Sequence, residues 1–255
     1  MSVQLVVALI SAAAALLAAL LSVVLSARAA RGTAQLQDEL EHRRQQASKE
    51  ELLEQVMSRY REPLLRAAFD LQSRLYNIVK QSFLGAYLRR GSAAEQEYAC
   101  RNTVFVLAEY LGWVEILRRG VQFLDLGDVE RNRRLVDRLE AISTVLLADR
   151  PYPDATFRVF RGEQRAMGEL MVDTAMPSGS QPSQCIGYAT FIAKLVQEPS
   201  FARWFEKLED DVRQLAAEPS PRYARLVDLQ HALMDLIDFL DDPPTRFPRE
   251  HRTRL

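Results

Sequence analysis

The sequence predicts an all-α protein with an N-terminal transmembrane helix, a helical stalk and a multi-helix globular domain. Three observations carry this. Val3 to Leu25 is a run of 23 residues without a charge. In most later segments the apolar residues recur at steps of three and four, the spacing that lines one face of a helix. No segment sustains the apolar–polar alternation of a half-buried strand, and no internal repeat is visible.

The first element is the uncharged run. At about 1.5 Å per residue it makes a helix of about 34 Å, enough for a hydrocarbon core of about 30 Å. A cleaved secretory signal has a basic start and a shorter apolar run, of about 7–15 residues. Neither is present here, although Ala27-Arg28-Ala29 has the small-x-small form of a cleavage site. Residues 1–27 are therefore expected to be a retained anchor crossing the membrane through residues 3–25. No Lys or Arg precedes the run, whereas Arg28, Arg31, Arg43 and Arg44 follow it. That asymmetry predicts a single-pass protein with its N-terminus outside and the rest in the cytoplasm. Ser11, Ala12, Ala15, Ala19 and Ser22 form a small-residue face through which two anchors can pair as a homo-oligomer.

Residues 28–62 read as a polar helical stalk. A heptad frame from Leu36 and Leu40 runs into Arg43, Glu50 and Glu54, so the coiled-coil signal is weak. Residues 63–242 read as the all-α domain. Its first helix carries Leu64, Ala68, Leu71, Leu75, Ile78 and Val79, starts or kinks at Pro63 and stops at Gly91. Ser92 and Glu95 form a capping box for the next helix. Within that helix, residues 103–117 are apolar on nearly all sides, but the stretch is short and holds Glu109 and Glu115. It is read as the central buried helix, with Phe105 and Trp113 in the core.

A third helix fits Val129 to Leu147, with Asp128 as its N-cap and a stripe of Leu135, Leu139, Ile142 and Leu146. Pro151 and Pro153 then break the chain. Asp154 caps a short helix carrying Phe157, Phe160, Met167 and Met171, and residues 176–184 form a Pro/Ser/Gly loop. Helices over about 185–196, 201–216 and 221–241 complete the domain, the last two with Ser200 and Ser220 as N-caps. Residues 243–255, PPTRFPREHRTRL, read as a disordered basic tail.

Composition narrows the function. A formal net charge of −1 provides no electrostatic footprint for nucleic acid. There are 29 Arg against 4 Lys, which with the abundant Ala reflects a high-GC bacterial coding bias. Cys100 and Cys185 lie far apart without a Cys-x-x-Cys or Cys/His cluster, so both read as reduced thiols, Cys100 in the core. The segments REPLLRAAFDLQSRLYNIV, FRVFRGEQRAMGELM and CIGYATF resemble a group of uncharacterised single-pass bacterial membrane proteins with a cytosolic helical domain. The resemblance covers most of the chain after residue 58. It implies an anchored helical domain and carries over no catalytic residue.

Nothing in the chain reads as a catalytic, cofactor or metal site. Serine nucleophile elbows and glycine-rich dinucleotide loops are missing. Asp228, His231 and Asp235 share one helix face, but a metal would need ligands from other helices. Glu209-Asp210-Asp211 and Asp241-Asp242 read as solvated positions. The sharpest feature is Arg161-Gly-Glu163-Gln-Arg165-Ala-Met-Gly-Glu169. There Arg161 and Arg165 lie one turn apart, as do Arg165 and Glu169. Arg161, Glu163, Arg165 and Glu169 are thus expected to form a partner-binding surface, with Gly162 and Gly168 letting a partner's backbone come close. The preferred reading is a non-catalytic interaction, scaffold or sensor module binding a protein at the cytoplasmic face. The alternative is a membrane-anchored enzyme or small-anion sensor using the two guanidinium forks.

Overall fold

The computed structural model describes residues 22, 37, 39–48, 60–121, 129–152, 155–173, 183–217, 223–248, 250 and 252–255. The chain divides into two units, Met1–Leu52 and Leu53–Leu255. In the first, residues 39–48 form an exposed helix with an Arg43–Glu39 pair at 2.7 Å. The predicted span over residues 3–25 lies, Ser22 apart, outside the described residues. Among those that are described, no helix is long and apolar enough to cross a membrane.

The second unit is a multi-helix globular domain. Its helices are α1 (60–80), α2 (Ala93–Val121), α3 (Val129–Leu147), α4 (Arg161–Met171), α5 (Tyr188–Gln197), α6 (Pro199–Ala202), α7 (Glu206–Ala217) and α8 (Ala224–Leu240), with a π-helical turn at Leu84–Leu88 between α1 and α2. The described residues contain no strand, only one antiparallel bridge between Val172 and Cys185.

Helix α2 is central and packs against α4, α5, α7 and the π turn, while α8 packs against α3. The stripes of α1 and α8 are buried as their spacing requires: Leu64, Ala68, Leu71, Leu75 and Ile78 on one, and Leu226, Leu229, Leu233, Ile237 and Leu240 on the other. The capping box at Ser92 forms, with the Glu95 carboxylate accepting the Ser92 N–H at 2.7 Å. Phe105 is buried, but Trp113 is only half-buried and packs on the edge of the core.

The first helix of the domain is not continuous to Gly91. It runs through Pro63, ends at residue 80 and breaks at Ser82, whose φ of 52° is left-handed. Nothing at Ser82 signals this from composition, because neither Gly nor Pro is present there. The crossing of α2 and α4 depends on two glycines. A Cβ at Gly168 would lie 2.6 Å from the Leu111 carbonyl oxygen, and one at Gly112 would lie 2.6 Å from the Cys185 sulfur and 2.7 Å from Met171 Cβ. Gly168 is therefore approached by the protein's own backbone, not left open for a partner's. Gly162 has nothing within 4 Å.

Two acidic positions read as solvated are internal. Asp211 is buried and accepts the Phe157 N–H at 2.9 Å and Lys207 Nζ at 2.7 Å. It thereby holds Phe157 at a φ of 57°, in the turn that leads into α4. Asp241 is the other. It accepts the backbone N–H groups of Thr245, Arg246 and Phe247 at 3.0, 3.2 and 3.1 Å and pairs with the buried Arg252.

That carboxylate also corrects the expected disorder of residues 243–255. The described tail residues fold back along α8. Phe247 stacks on Phe69 of α1 at 3.8 Å between centroids, Gln230 donates to the Thr253 carbonyl at 2.9 Å, and Arg254 pairs with Asp235 at 2.6 Å. A tail of low hydropathy is ordered here by hydrogen bonds to one buried acceptor, by one aromatic stack and by polar contacts along α8.

Candidate functional site

The RGEQRAMGE segment is α4, and its two faces do different things. Gln164, Met167, Gly168 and Met171 point inward. Gln164 ties α4 to α3: its amide donates to the Val159 and Ser143 carbonyls at 2.8 and 3.1 Å, and its oxygen accepts from the Ser143 hydroxyl at 2.8 Å. Glu163 has a structural job, accepting the Phe160 N–H at 2.8 Å at the start of α4.

On the outer face Arg161 and Arg165 are both more than half exposed. They do not act as one fork. Arg161 reaches across to Glu140 of α3 with both terminal nitrogens, whereas Arg165 pairs within its own helix with Glu169 at 3.2 Å. Glu169 also lies 3.9 Å from Arg119 of α2. Both guanidinium groups thus already carry a carboxylate, which removes much of their attraction for a small anion.

What the two arginines do share is a groove of about 530 Å³ between α2, α3 and α4. Its floor is apolar, with Leu111, Val114 and Leu117 from α2 and Leu135, Val136 and Leu139 from α3. Val136 is 60 % exposed and continues this apolar floor, so it belongs to a contiguous apolar surface and is not an isolated exposed side chain. The groove's charged lining is Arg118, Arg161 and Arg165 against Glu115 and Glu140.

Glu115 is buried at the groove's edge and accepts from Arg118 and Arg119 at 2.7 Å each. Burial pushes its carboxyl up, but the bonds from these two arginines outweigh that and hold it below the usual range. The groove was not legible from α4 alone. The available signal was Val136, which lies next to the core stripe of α3 and extends it onto the outer face.

Elsewhere the titratable groups serve packing. Asp228, His231 and Asp235 engage different partners: the Tyr152 hydroxyl, the Leu255 carbonyl, and Arg138 with Arg254. Among the described residues no group of His, Cys, Asp or Glu is arranged to hold a metal. Cys100 is buried and its thiol is pushed up to about 11 by desolvation. Cys185 is pushed above the ordinary thiol range by burial and by the Glu109 carboxylate. Neither is a thiolate nucleophile near neutral pH.

Glu109 itself is raised from 4.5 to about 7, first by burial and then by the Asp70 carboxylate of α1. A raised carboxyl pKa means that the folded chain holds the proton more tightly than the unfolded one. Its contribution is complete below 4.5 and is lost as pH rises through about 7. Allowing for partial exposure, Glu109→Gln should match the wild type near about pH 5 and be more stable by about 1–2 kcal/mol near about pH 8. Urea denaturation at the two pH values checks this; equal stability at both would place Glu109 in solvent.

No family model, curated protein or solved structure matches the chain.

Proposed function

We propose that the protein is a membrane-anchored, non-catalytic interaction module. In this reading residues 3–25 cross the membrane once with the N-terminus outside, and the helical domain stands at the cytoplasmic face. It docks a partner protein in the groove between α2, α3 and α4, and anchors can pair through their small-residue face. The observation that carries the docking surface is the apolar floor around the exposed Val136, rimmed by Arg161, Arg165 and Arg118. The floor favours a partner helix with an apolar stripe, and an acidic flank on that helix would take over the rim arginines from Glu115, Glu140 and Glu169.

The test uses the full chain in cells, with a photo-crosslinking residue at position 136. One defined partner should be captured, and capture should be lost in the double variant Arg161→Ala, Arg165→Ala. The double variant should melt at the wild-type temperature, because both residues are exposed and their pairs are solvent-screened. A reporter active only in the cytoplasm should work when fused after Leu255. Capture that survives the double variant would remove the arginine rim from the site, and activity of a periplasm-only reporter would reverse the orientation.

A further inference from the structure

A second hollow of about 530 Å³ lies on the other flank of α2, where α1, the π turn and α2 meet. Ala94 and three pairs, each about one helical turn apart, line it: Asn77 at the end of α1 with Gln81 just beyond it, Phe83 and Tyr87 at the π turn, and Glu95 and Tyr98 on α2. The break at Ser82 and the cap at Ser92 turn the chain twice and bring the three pairs together. π turns of this kind recur at functional sites.

The aromatic rings are left open where packing alone would cover them. Tyr87 is 44 % exposed and Tyr98 48 %. Phe83 and Tyr87 are tilted at 46° with centroids 5.0 Å apart, so they form two walls and not a stack. These rings already attract a cation within the fold. The Arg74 guanidinium lies 4.0 Å from the Phe83 centroid and 5.8 Å from that of Tyr98. Arg74 bonds Asn102 and does not line the hollow.

The hollow's own charge is the Glu95 carboxylate, fixed in place by the Ser92 N–H at 2.7 Å and hydroxyl at 2.8 Å. Those bonds also keep it ionised, below the usual range.

We propose that this hollow binds a small alkylated ammonium ion, a quaternary ammonium compound of the choline kind. The exposed Tyr87 and Tyr98 rings and one carboxylate complement a cation whose charge is spread over methyl groups, beside the Phe83 ring that Arg74 already covers. No cationic side chain lines the hollow, which disfavours an anion. A compact, strongly hydrated ion such as sodium would have to shed water into a site this open. An alkylated ammonium holds its water weakly and gains contact with the rings. The Asn77 and Gln81 amides suit a hydroxyl or ester oxygen on the ligand's arm.

Isothermal titration of the full chain with tetramethylammonium and with choline, against sodium chloride at equal ionic strength, tests this. Saturable binding in the millimolar range is expected for both and none for sodium. Tyr98→Ala and Glu95→Gln should each weaken it by about tenfold. Both positions are exposed, and Gln preserves the cap at Ser92.

Glycerophosphocholine separates the two sources of this chemistry. A free solute site prefers choline, because Glu95 repels the phosphodiester. A headgroup site binds glycerophosphocholine at least as well. Absence of saturable binding, or binding that survives both variants, would overturn the proposal.

Discussion

Arg225→Ala is expected to destabilise the domain by about 3–5 kcal/mol, a large share of the about 5–15 kcal/mol that holds a domain together. Arg225 is 2 % exposed near the start of α8. Its guanidinium donates to the Val145 and Leu146 carbonyls at 2.7 and 3.3 Å. These belong to the last turn of α3, where carbonyls lack partners in their own helix and the helix dipole favours a cation. The same group lies 4.1 Å from the Tyr152 ring, and the Tyr152 hydroxyl donates to Asp228 at 2.9 Å.

One side chain therefore caps α3, fastens it to α8 and supports the turn that follows. Truncation leaves a large buried void and takes a donor from the Val145 carbonyl, while the Leu146 carbonyl keeps the Val159 N–H at 2.9 Å. Arg225→Lys should recover only part of the loss, since a point ammonium cannot both stack on the ring and reach two carbonyls. Urea denaturation followed by circular dichroism measures both variants. A loss under about 1 kcal/mol for Arg225→Ala would mean that the α3–α8 contact rests on its leucines alone.

Arg225 also shows where sequence reading stops. The helices were legible because burial of one face imposes its period on the sequence. The stripes of α1, α3 and α8 and the capping box at Ser92 could be read directly, and the all-helical class followed from them. What was not legible is the set of polar groups placed inside by tertiary contacts. Arg225, Asp211, Gln164 and Asp241 look in sequence like any charged or polar residue near a helix end. Each also has a partner 80, 54, 21 or 11 residues away in turn, beyond the reach of a helical period.

The candidate site divides in the same way. Arg161 and Arg165 stood out through their one-turn spacing, and both do lie on the outer face of α4. Spacing could not tell that Arg161 turns to Glu140 of α3 while Arg165 stays with Glu169. Gly168 looked like room for a partner, because a glycine on a polar helix is equally suited to a close crossing inside the protein, and here Leu111 occupies that space. The groove needs α3 beside α4, and only the fold supplies that neighbour.

Asp241→Ala is expected to release the tail and to lower stability by about 3–5 kcal/mol. The carboxylate is buried at the end of α8 and accepts from three backbone N–H groups, the Thr245 hydroxyl and Arg252. The Arg252 side chain is itself only 6 % exposed, so removing Asp241 takes one of its two carboxylate partners, leaving Asp238 at 3.0 Å, and strips three backbone donors of their acceptor. The Phe247–Phe69 stack and the bonds from the tail to Gln230 and His231 depend on the loop that these donors close.

Limited proteolysis should accordingly cut between residues 243 and 255 in the variant while leaving α1–α8 intact. The acid limb provides a second readout. Burial pushes the Asp241 carboxyl up, but the backbone N–H bonds outweigh it and hold the group below its ordinary 3.8. A depressed carboxyl stabilises the fold above the unfolded value and loses that contribution as pH falls through the folded one. Wild-type stability should therefore drop as pH falls below about 3.8 more steeply than that of Asp241→Asn, which has no charge to lose. A variant that keeps its tail protected and its stability intact would show that the Phe247 stack and the contacts along α8 order these residues without Asp241.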